Sequence, residues 1–395
     1  MRNPSIELIA NALNEAQRQT HETARAMPGE FYTDPAWAAF EVRELFSKDW
    51  LCIGRIEEVA SPGDYLAIDL LGEPVLIIRG RDGELRALSN VCRHRGMVLV
   101  EGKGNAEQLM CPYHNWTYDT AGCLLRAPLL AERPDFEPST CKLPSLPIEV
   151  WLGFVFVNLN QNPPALTPTL ASAGALARNY HFEEMQLRYV TEEIWPTNWK
   201  CLLENFMEGY HLSPLHRTTL HKINPTRLCR HYPGEDKFFG LFSGFAQHID
   251  GAATGHSDLT DTEANTSLMM AIPPSLLIGG GGDYSSFICL QPETAGRVRL
   301  KYGLIFHGDD WQPAVIDEAV ELGRETIAED RRALCAVQQG VSSKYYEPGP
   351  LAPADYEGTL IDFFHYMARR LLPVLSQGGY NVDSCDYSTL SENTL

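Results

Sequence analysis

Cys92 and His94 stand two positions apart, Cys111 and His114 three, and sixteen residues separate His94 from Cys111. Two thiolates and two imidazoles on two short stretches make a metal-binding set. They can hold a structural zinc in tetrahedral geometry. They can equally hold a 2Fe–2S cluster, with two thiolates on one iron and two imidazoles on the other. Neutral imidazoles leave such a cluster less negative than four thiolates would, which raises its potential and suits electron delivery. The remaining eight cysteines are scattered and read as small apolar side chains.

A second set lies downstream in "NWKCLLENFMEGYHLSPLH". His211 and His216 are five apart, and Glu208 lies three before His211. On a regular helix Glu208 and His211 share a face. His216 lies past Pro214, where the chain can fold back so that both imidazoles reach one metal. Two histidines and a carboxylate on one face of Fe(II) leave positions open for dioxygen. The carboxylate must come from elsewhere in the chain. Glu329 and Asp330, adjacent in "ETIAEDRRALCAVQQG", are the two candidates.

The elements that must position these groups follow from pattern. Residues 5–25 and 34–50 read as helices, the second opening on an Asp34 cap with Pro35 at its first position. From 51 to 160 short β-rich runs alternate with turn signals, including a hairpin turn at Asp82-Gly83, so this stretch is all-β and carries the Cys/His pairs in its loops. Three prolines in 160–170 read as a linker. Beyond it, "LRYVTEEIWPTNWK", "SLLIGGGGDYSSFICLQP" and "RVRLKYGLIFHG" read as strands, and 312–340 and 355–375 as helices. The four glycines lack the spacing and context of a nucleotide loop.

Composition narrows the function classes. A net charge of −19 argues against nucleic acid or an anionic membrane as a partner. No apolar run approaches membrane-spanning length, and the N-terminal stretch lacks a signal-peptide core, so a cytoplasmic protein is expected. Unpaired cysteines fit that compartment.

C-x-H, sixteen residues, C-x2-H, together with Arg95-Gly96, Pro112-Tyr113, Trp116 and Gly122, resembles the Rieske pattern, with Asn115 where Gly is usual. N-W-K, E-N and E-x-Y-H-x4-H downstream of it complete a resemblance to the oxygenase (alpha) component of Rieske non-haem iron oxygenases, over nearly the whole chain. The resemblance implies an α+β protein. N-terminal helices (1–50) pack on the catalytic domain, an all-β Rieske domain follows (51–160), and a helix-grip domain with a curved antiparallel sheet holds the mononuclear iron (161–395). It implies Cys92, His94, Cys111 and His114 as 2Fe–2S ligands. His211, His216 and Asp330 would be the Fe(II) ligands, with Glu329 second choice to Asp330.

The resemblance also implies an NAD(P)H-dependent flavin/iron–sulfur reductase as electron donor, dioxygen as co-substrate, and a head-to-tail homotrimer. There Glu208 would join His211 to His114 of a neighbouring chain. Glu in place of the commoner Asp at 208 resembles the branch that oxidises carnitine and glycine betaine. A small quaternary ammonium substrate is therefore expected, with an aromatic acid or ring as the alternative. Outside catalysis, a zinc-stabilised binding module also fits the bare residues. Phe206, Tyr210, Tyr284 and Phe287 are candidate cage residues for a cation. The remaining histidines, among them His21, His181, His221, His231, His248, His256, His307 and His365, lack partner spacing and read as structural.

Overall fold

A computed structural model describes residues 4–130, 133–235, 237–247 and 257–377, so His248 and His256 lie outside the described residues. Residues 47–164 form one compact unit, and the segments before and after them form the other.

The larger unit is built on one antiparallel sheet of seven strands: β1 (Met185–Trp195), β2 (Cys229–Glu235), β3 (Phe238–Gly244), β4 (Thr266–Ile272), β5 (Leu276–Gly280), β6 (Tyr284–Thr294) and β7 (Arg297–His307). Their spatial order is β1-β7-β6-β5-β4-β3-β2. Side chains alternate between the two faces of a strand. One row therefore crosses the sheet through Leu241, Met269, Gly279, Ser286 and Leu304, each opposite the next. The glycine run is the end of β5 and the turn into β6.

Five helices matter for the site: α1 (Pro4–Ala16), α2 (Pro35–Glu41), α3 (Trp199–Met207), α4 (Pro313–Val341) and α5 (Ala354–Gln377). α1 buries Ile6, Ile9, Leu13 and Ala16, and packs on α5. It stops at Ala16, short of the expected 25. Thr20 and Thr23 bond to each other there, Thr20 N–H to Thr23 Oγ1 at 3.1 Å and Thr23 N–H to Thr20 O at 3.0 Å. Such local bonds compete with the helical ladder. α2 starts as expected, with Asp34 accepting from Trp37 N–H at 2.8 Å and Pro35 in the first turn. It ends at Glu41 in a π-turn over Val42–Phe46, and Trp50 already opens a strand of the other unit.

The smaller unit is all-β in three sheets. One holds Trp50–Arg55, Phe154–Asn158 and Ile148–Trp151. A five-stranded sheet contains the hairpin of Glu73–Arg79 and Leu85–Ser89, whose turn includes Gly83 at φ +84° as Asp82-Gly83 suggests. The third holds Gln108–Met110, Thr117–Asp119 and Leu124–Arg126. Leu76, Ile78, Leu88, Leu109, Trp116 and Tyr118 make a core that also takes in Cys92 and Cys111. Among the described residues no helix is long and apolar enough to cross a membrane.

Candidate active site and electron-transfer centre

In the smaller unit the two Cys/His loops share one backbone plan. Cys92 N–H donates to Met97 O (2.8 Å) and Gly96 N–H to Cys92 O (3.1 Å). Cys111 N–H donates to Trp116 O (2.8 Å) and Asn115 N–H to Cys111 O (3.0 Å). Gly96 and Asn115 thus occupy equivalent places, with φ +78° and +57°. Asn is the side chain that best tolerates this left-handed region after Gly, which accounts for the departure at 115.

The thiols are buried and unpaired with each other as a disulfide, and the histidines lie at the surface. His94 Nδ1 and His114 Nδ1 face each other at 3.1 Å. His94 is held by stacking on Trp116, with centroids 4.9 Å apart. Tyr118 anchors the first loop: its hydroxyl accepts from Arg93 N–H at 3.0 Å and lies 3.3 Å from Cys92 Sγ. Burial, then the bond to Cys92, raises the phenol's pKa. Two sulfurs rooted in the core and two converging imidazole nitrogens fit a 2Fe–2S cluster.

In the larger unit, α3 is fixed at both ends. Asn198 caps it by accepting from Lys200 N–H (2.9 Å), while its amide donates to Tyr32 O (2.9 Å) and Ala295 O (2.7 Å). Trp199 Nε1 and Lys200 Nζ both donate to Glu41, at 2.9 Å and 2.7–2.8 Å, and all three residues are buried. At the far end Thr359 donates to Met207 O (2.5 Å) and Gly209 N–H to Tyr356 O (2.8 Å). A Cβ on Gly209 would lie 2.3 Å from Cys229 Sγ, so only glycine passes there.

The helix expected to carry Glu208 and His211 on one face does not reach them. It ends at Met207, and Glu208 is extended at φ −114°, ψ 152°. The carboxylate replaces the helix as the positioning device. Glu208 Oε2 accepts from the backbone N–H of Tyr210 and His211, while Oε1 takes His211 Nδ1. His216 follows on a turn beyond Pro214 and is 1% exposed.

α4 brings the third group. Asn198 N–H donates to Gln338 Oε1 (2.7 Å) and Thr197 Oγ1 to Leu334 O (3.3 Å), which sets α4 against the start of α3. Asp330 Oδ1 then lies 3.1 Å from His216 Nε2 and 3.7 Å from His211 Nε2. One ligand atom from each of the three side chains falls within 4.8 Å of the others. Glu329 is turned elsewhere: its Oε2 accepts from His216 Nδ1 and from Thr219 Oγ1, each at 2.7 Å. It bonds the His216 ring nitrogen that points away from Asp330.

The triad fits a divalent metal. Asp330 Oδ1 is closed to solvent with no hydrogen bond among the described residues, and both imidazoles present Nε2 to it while a carboxylate holds Nδ1. That is how metal-bound histidines are oriented. Burial disfavours charge on His211, yet Glu208 and Asp330 together raise its pKa. A field that holds a proton also favours a dication.

The triad opens on a cavity of about 530 Å³ within this unit. Phe206 and Tyr284 line it. Tyr210 and Phe287 do not: Tyr210 is exposed and stacks with Tyr356, and Phe287 lies on the opposite sheet face from Ser286 and Ile288. Trp195, Phe245 and Tyr302 line it as well, and the sequence patterns did not single them out. Gly279 leaves room on the floor, where a Cβ would fall 2.8–2.9 Å from Met269 and Phe206. Among the other histidines, the side chain of His181 pairs with Asp258, that of His221 with Ser213 and that of His231 with Asp362.

Comparison with known proteins settles the family. The Rieske 2Fe-2S domain model matches residues 49–147, and the ring hydroxylating alpha subunit (catalytic domain) model matches 177–373. The glycine betaine monooxygenase oxygenase subunit of Chromohalobacter salexigens is 34% identical, over 88% of this chain and 86% of its own. The chain belongs to the Rieske oxygenases. It is an enzyme, the oxygenase component of a system that needs a reductase partner, and its cofactors are a 2Fe–2S cluster and a mononuclear iron. The zinc-stabilised module is thereby set aside.

The carnitine monooxygenase oxygenase subunit of Acinetobacter baumannii is 28% identical, over 82% of this chain and 87% of its own. Among solved structures, the quaternary ammonium Rieske monooxygenase CntA in complex with γ-butyrobetaine superimposes with a TM-score of 0.76 at 25% identity, covering 94% of this chain and 99% of that one. Naphthalene 1,2-dioxygenase from Rhodococcus sp. bound to indole shares the fold, with a TM-score of 0.77 at 18% identity over 93% and 98% of the two chains.

Proposed function

We propose that this oxygenase oxidises a small quaternary ammonium compound of the carnitine or glycine betaine type. One oxygen atom of dioxygen enters a C–H bond beside the nitrogen. The other leaves as water, with two electrons and two protons supplied. The hydroxylated carbon then forms a carbonyl: its C–N electron pair leaves with the amine and the hydroxyl proton is released. The observation that carries this reading is the cavity. The His211–His216–Asp330 triad and the rings of Trp195, Phe206, Phe245, Tyr284 and Tyr302 line one space. Ring faces stabilise a cation that has no hydrogen to donate. Relatives named for carnitine and glycine betaine oxidation support the same substrate class.

His211, His216 and Asp330 are the iron ligands, and Cys92, His94, Cys111 and His114 the cluster ligands. Iron held there supplies dioxygen activation, and the cluster supplies single electrons. The rest is the work of the chain. Glu208 and Glu329 keep both iron imidazoles turned inward, and the apolar sheet face keeps bulk water from the reacting carbon. The Nδ1 atoms of the cluster histidines face each other, so each Nε2 lies on the far side of its ring.

Glu208 of one subunit can therefore meet His114 of a neighbouring chain in a head-to-tail homotrimer. Exposed Met97, Val98 and Tyr113 beside the cluster loops give that contact an apolar surface. An NAD(P)H-dependent flavin/iron–sulfur reductase in the cytoplasm completes the chain of electron transfer.

The test is a panel of L-carnitine, γ-butyrobetaine, glycine betaine and choline against simple aromatic acids, with reductase supplied. NADH oxidation should rise with a quaternary amine, and carbonyl product should form in step with it. Stimulation by an aromatic acid alone would replace this reading with a ring hydroxylase or O-demethylase.

A further inference from the structure

Among the described residues three carboxylates line the cavity: Glu208, Asp283 and Asp330. Two have duties. Glu208 holds His211 Nδ1 and two backbone N–H groups, and Asp330 faces both iron-site imidazoles. Asp283 has none. Its Oδ1 is closed to solvent and has no hydrogen-bond partner, and no ion pair reaches it among the described residues. Lys222 is the one lysine or arginine among the described lining residues. Lys222 is exposed and forms no ion pair with Asp283. A carboxylate oxygen left unpaired beside an apolar cavity is unfavourable unless a ligand answers it.

The turn that carries Asp283 is fixed. It joins β5 to β6. Gly281 N–H donates to Tyr284 O (3.2 Å), Ser285 Oγ to Gly281 O (3.0 Å), and His307 N–H to Asp283 O (2.9 Å). A Cβ on Gly282 would lie 2.2 Å from Leu259, another lining residue, so the turn is seated against the cavity wall. The next residue, Tyr284, turns its ring to the cavity, stacked on Phe306 with centroids 5.1 Å apart. Burial, then the charge of Asp283, raises its phenol pKa. The rings of Tyr284 and Phe245 and the carboxylate of Asp283 thus belong to the wall of one space.

We infer that Asp283 is the anionic anchor for the substrate cation, a specificity-determining residue that pairs with the quaternary nitrogen while the rings cover its methyl groups. This rests on the quaternary ammonium reading above and assigns the group that reads the charge. An aromatic lining alone accepts a cation or an uncharged tert-butyl group of the same shape. A part-buried carboxylate with an unpaired oxygen discriminates between them, because only the cation offsets its charge.

The experiment compares wild type, Asp283→Asn and Asp283→Glu as holoenzymes. Each is titrated with the tightest-binding of glycine betaine, choline and L-carnitine, and with its tert-butyl isostere, in which carbon replaces nitrogen. Wild type should prefer the cation. Asp283→Asn should raise the Kd and KM for the cation about tenfold or more. Affinity for the isostere, cluster absorbance and iron content should stay near wild type. Asp283→Glu, which keeps the charge, should recover part of the loss.

Unchanged affinity for the cation in Asp283→Asn overturns the inference, as does an equal loss for cation and isostere, the mark of a merely structural residue. If wild type binds none of the quaternary amines, the substrate reading itself falls and the inference with it. That outcome is distinct, because it appears before any substitution is made.

Discussion

Removing the Glu329 carboxylate isolates one support of the iron site. Its Oε2 receives His216 Nδ1 at 2.7 Å and Thr219 Oγ1 at 2.7 Å, and His216 is 1% exposed, so the buried ring relies on this carboxylate as its acceptor. Without it the imidazole can rotate or change tautomer, and Nε2 is no longer committed to the metal. Loss of such an outer partner costs about 10- to 100-fold in metal affinity, or about 1.4–2.8 kcal/mol.

Glu329→Ala should fall in that range. Glu329→Gln keeps an acceptor and loses only the charge, so it should fall nearer wild type. Asp330→Ala should lose the mononuclear iron altogether. The assay is anaerobic Fe(II) titration of cluster-loaded protein, with cluster absorbance as an internal count of folded chains. Iron loss in Glu329→Ala as complete as in Asp330→Ala would make Glu329 a ligand and refute the assignment. Wild-type affinity in Glu329→Ala would refute its supporting role.

Three further outcomes are expected. Lys200 and Glu41 are both fully buried and bonded at 2.7–2.8 Å, so Lys200→Met should strand the carboxylate and cost about 3–5 kcal/mol in denaturant melts, and a change below about 1 kcal/mol would contradict this. Burial pushes the Glu204 carboxyl up to about 8 from its ordinary 4.5, with Tyr32 and Lys200 offsetting only part. The folded state then keeps a proton that the unfolded state releases, so this group's contribution to stability declines as pH rises from about 4.5 to about 8. Glu204→Gln should flatten that decline in melts across the same range, and an unaltered slope would count against it. Tyr118→Phe removes a hydroxyl 3.3 Å from Cys92 Sγ and should lower the cluster's reduction potential in a spectroscopic redox titration; a potential unmoved or raised would exclude that bond as a tuning device.

What the sequence could reveal depended on how local each cause was. The Cys/His loops and the pair His211–His216 stand out because residue type and spacing alone carry the chemistry. The choice between Glu329 and Asp330 does not, since neighbours on one helix differ only in direction. That direction is set by bonds such as Asn198 N–H to Gln338, 140 residues apart. Glu208 was legible as a partner of His211, but through the wrong geometry. The helix stops one residue earlier, and the carboxylate itself folds the turn. The cavity wall was least legible. Its row through Leu241, Met269, Gly279, Ser286 and Leu304 comes from five strands whose register no local pattern fixes. The Asn115 departure became intelligible only when its φ of +57° matched the role of Gly96.

Single turnover without reductase tests the coupling of the two centres most directly. Protein carrying cluster and mononuclear iron is chemically reduced, freed of reductant, and mixed with oxygen and a quaternary ammonium substrate. Wild type should release about one carbonyl product per mononuclear iron. Glu208→Ala, with both metals verified as present, should leave the cluster reduced and form almost none in the same interval. Product at the wild-type rate from Glu208→Ala would remove that carboxylate from the route between the centres. No product from fully loaded, reduced wild type would contradict the proposed reaction itself.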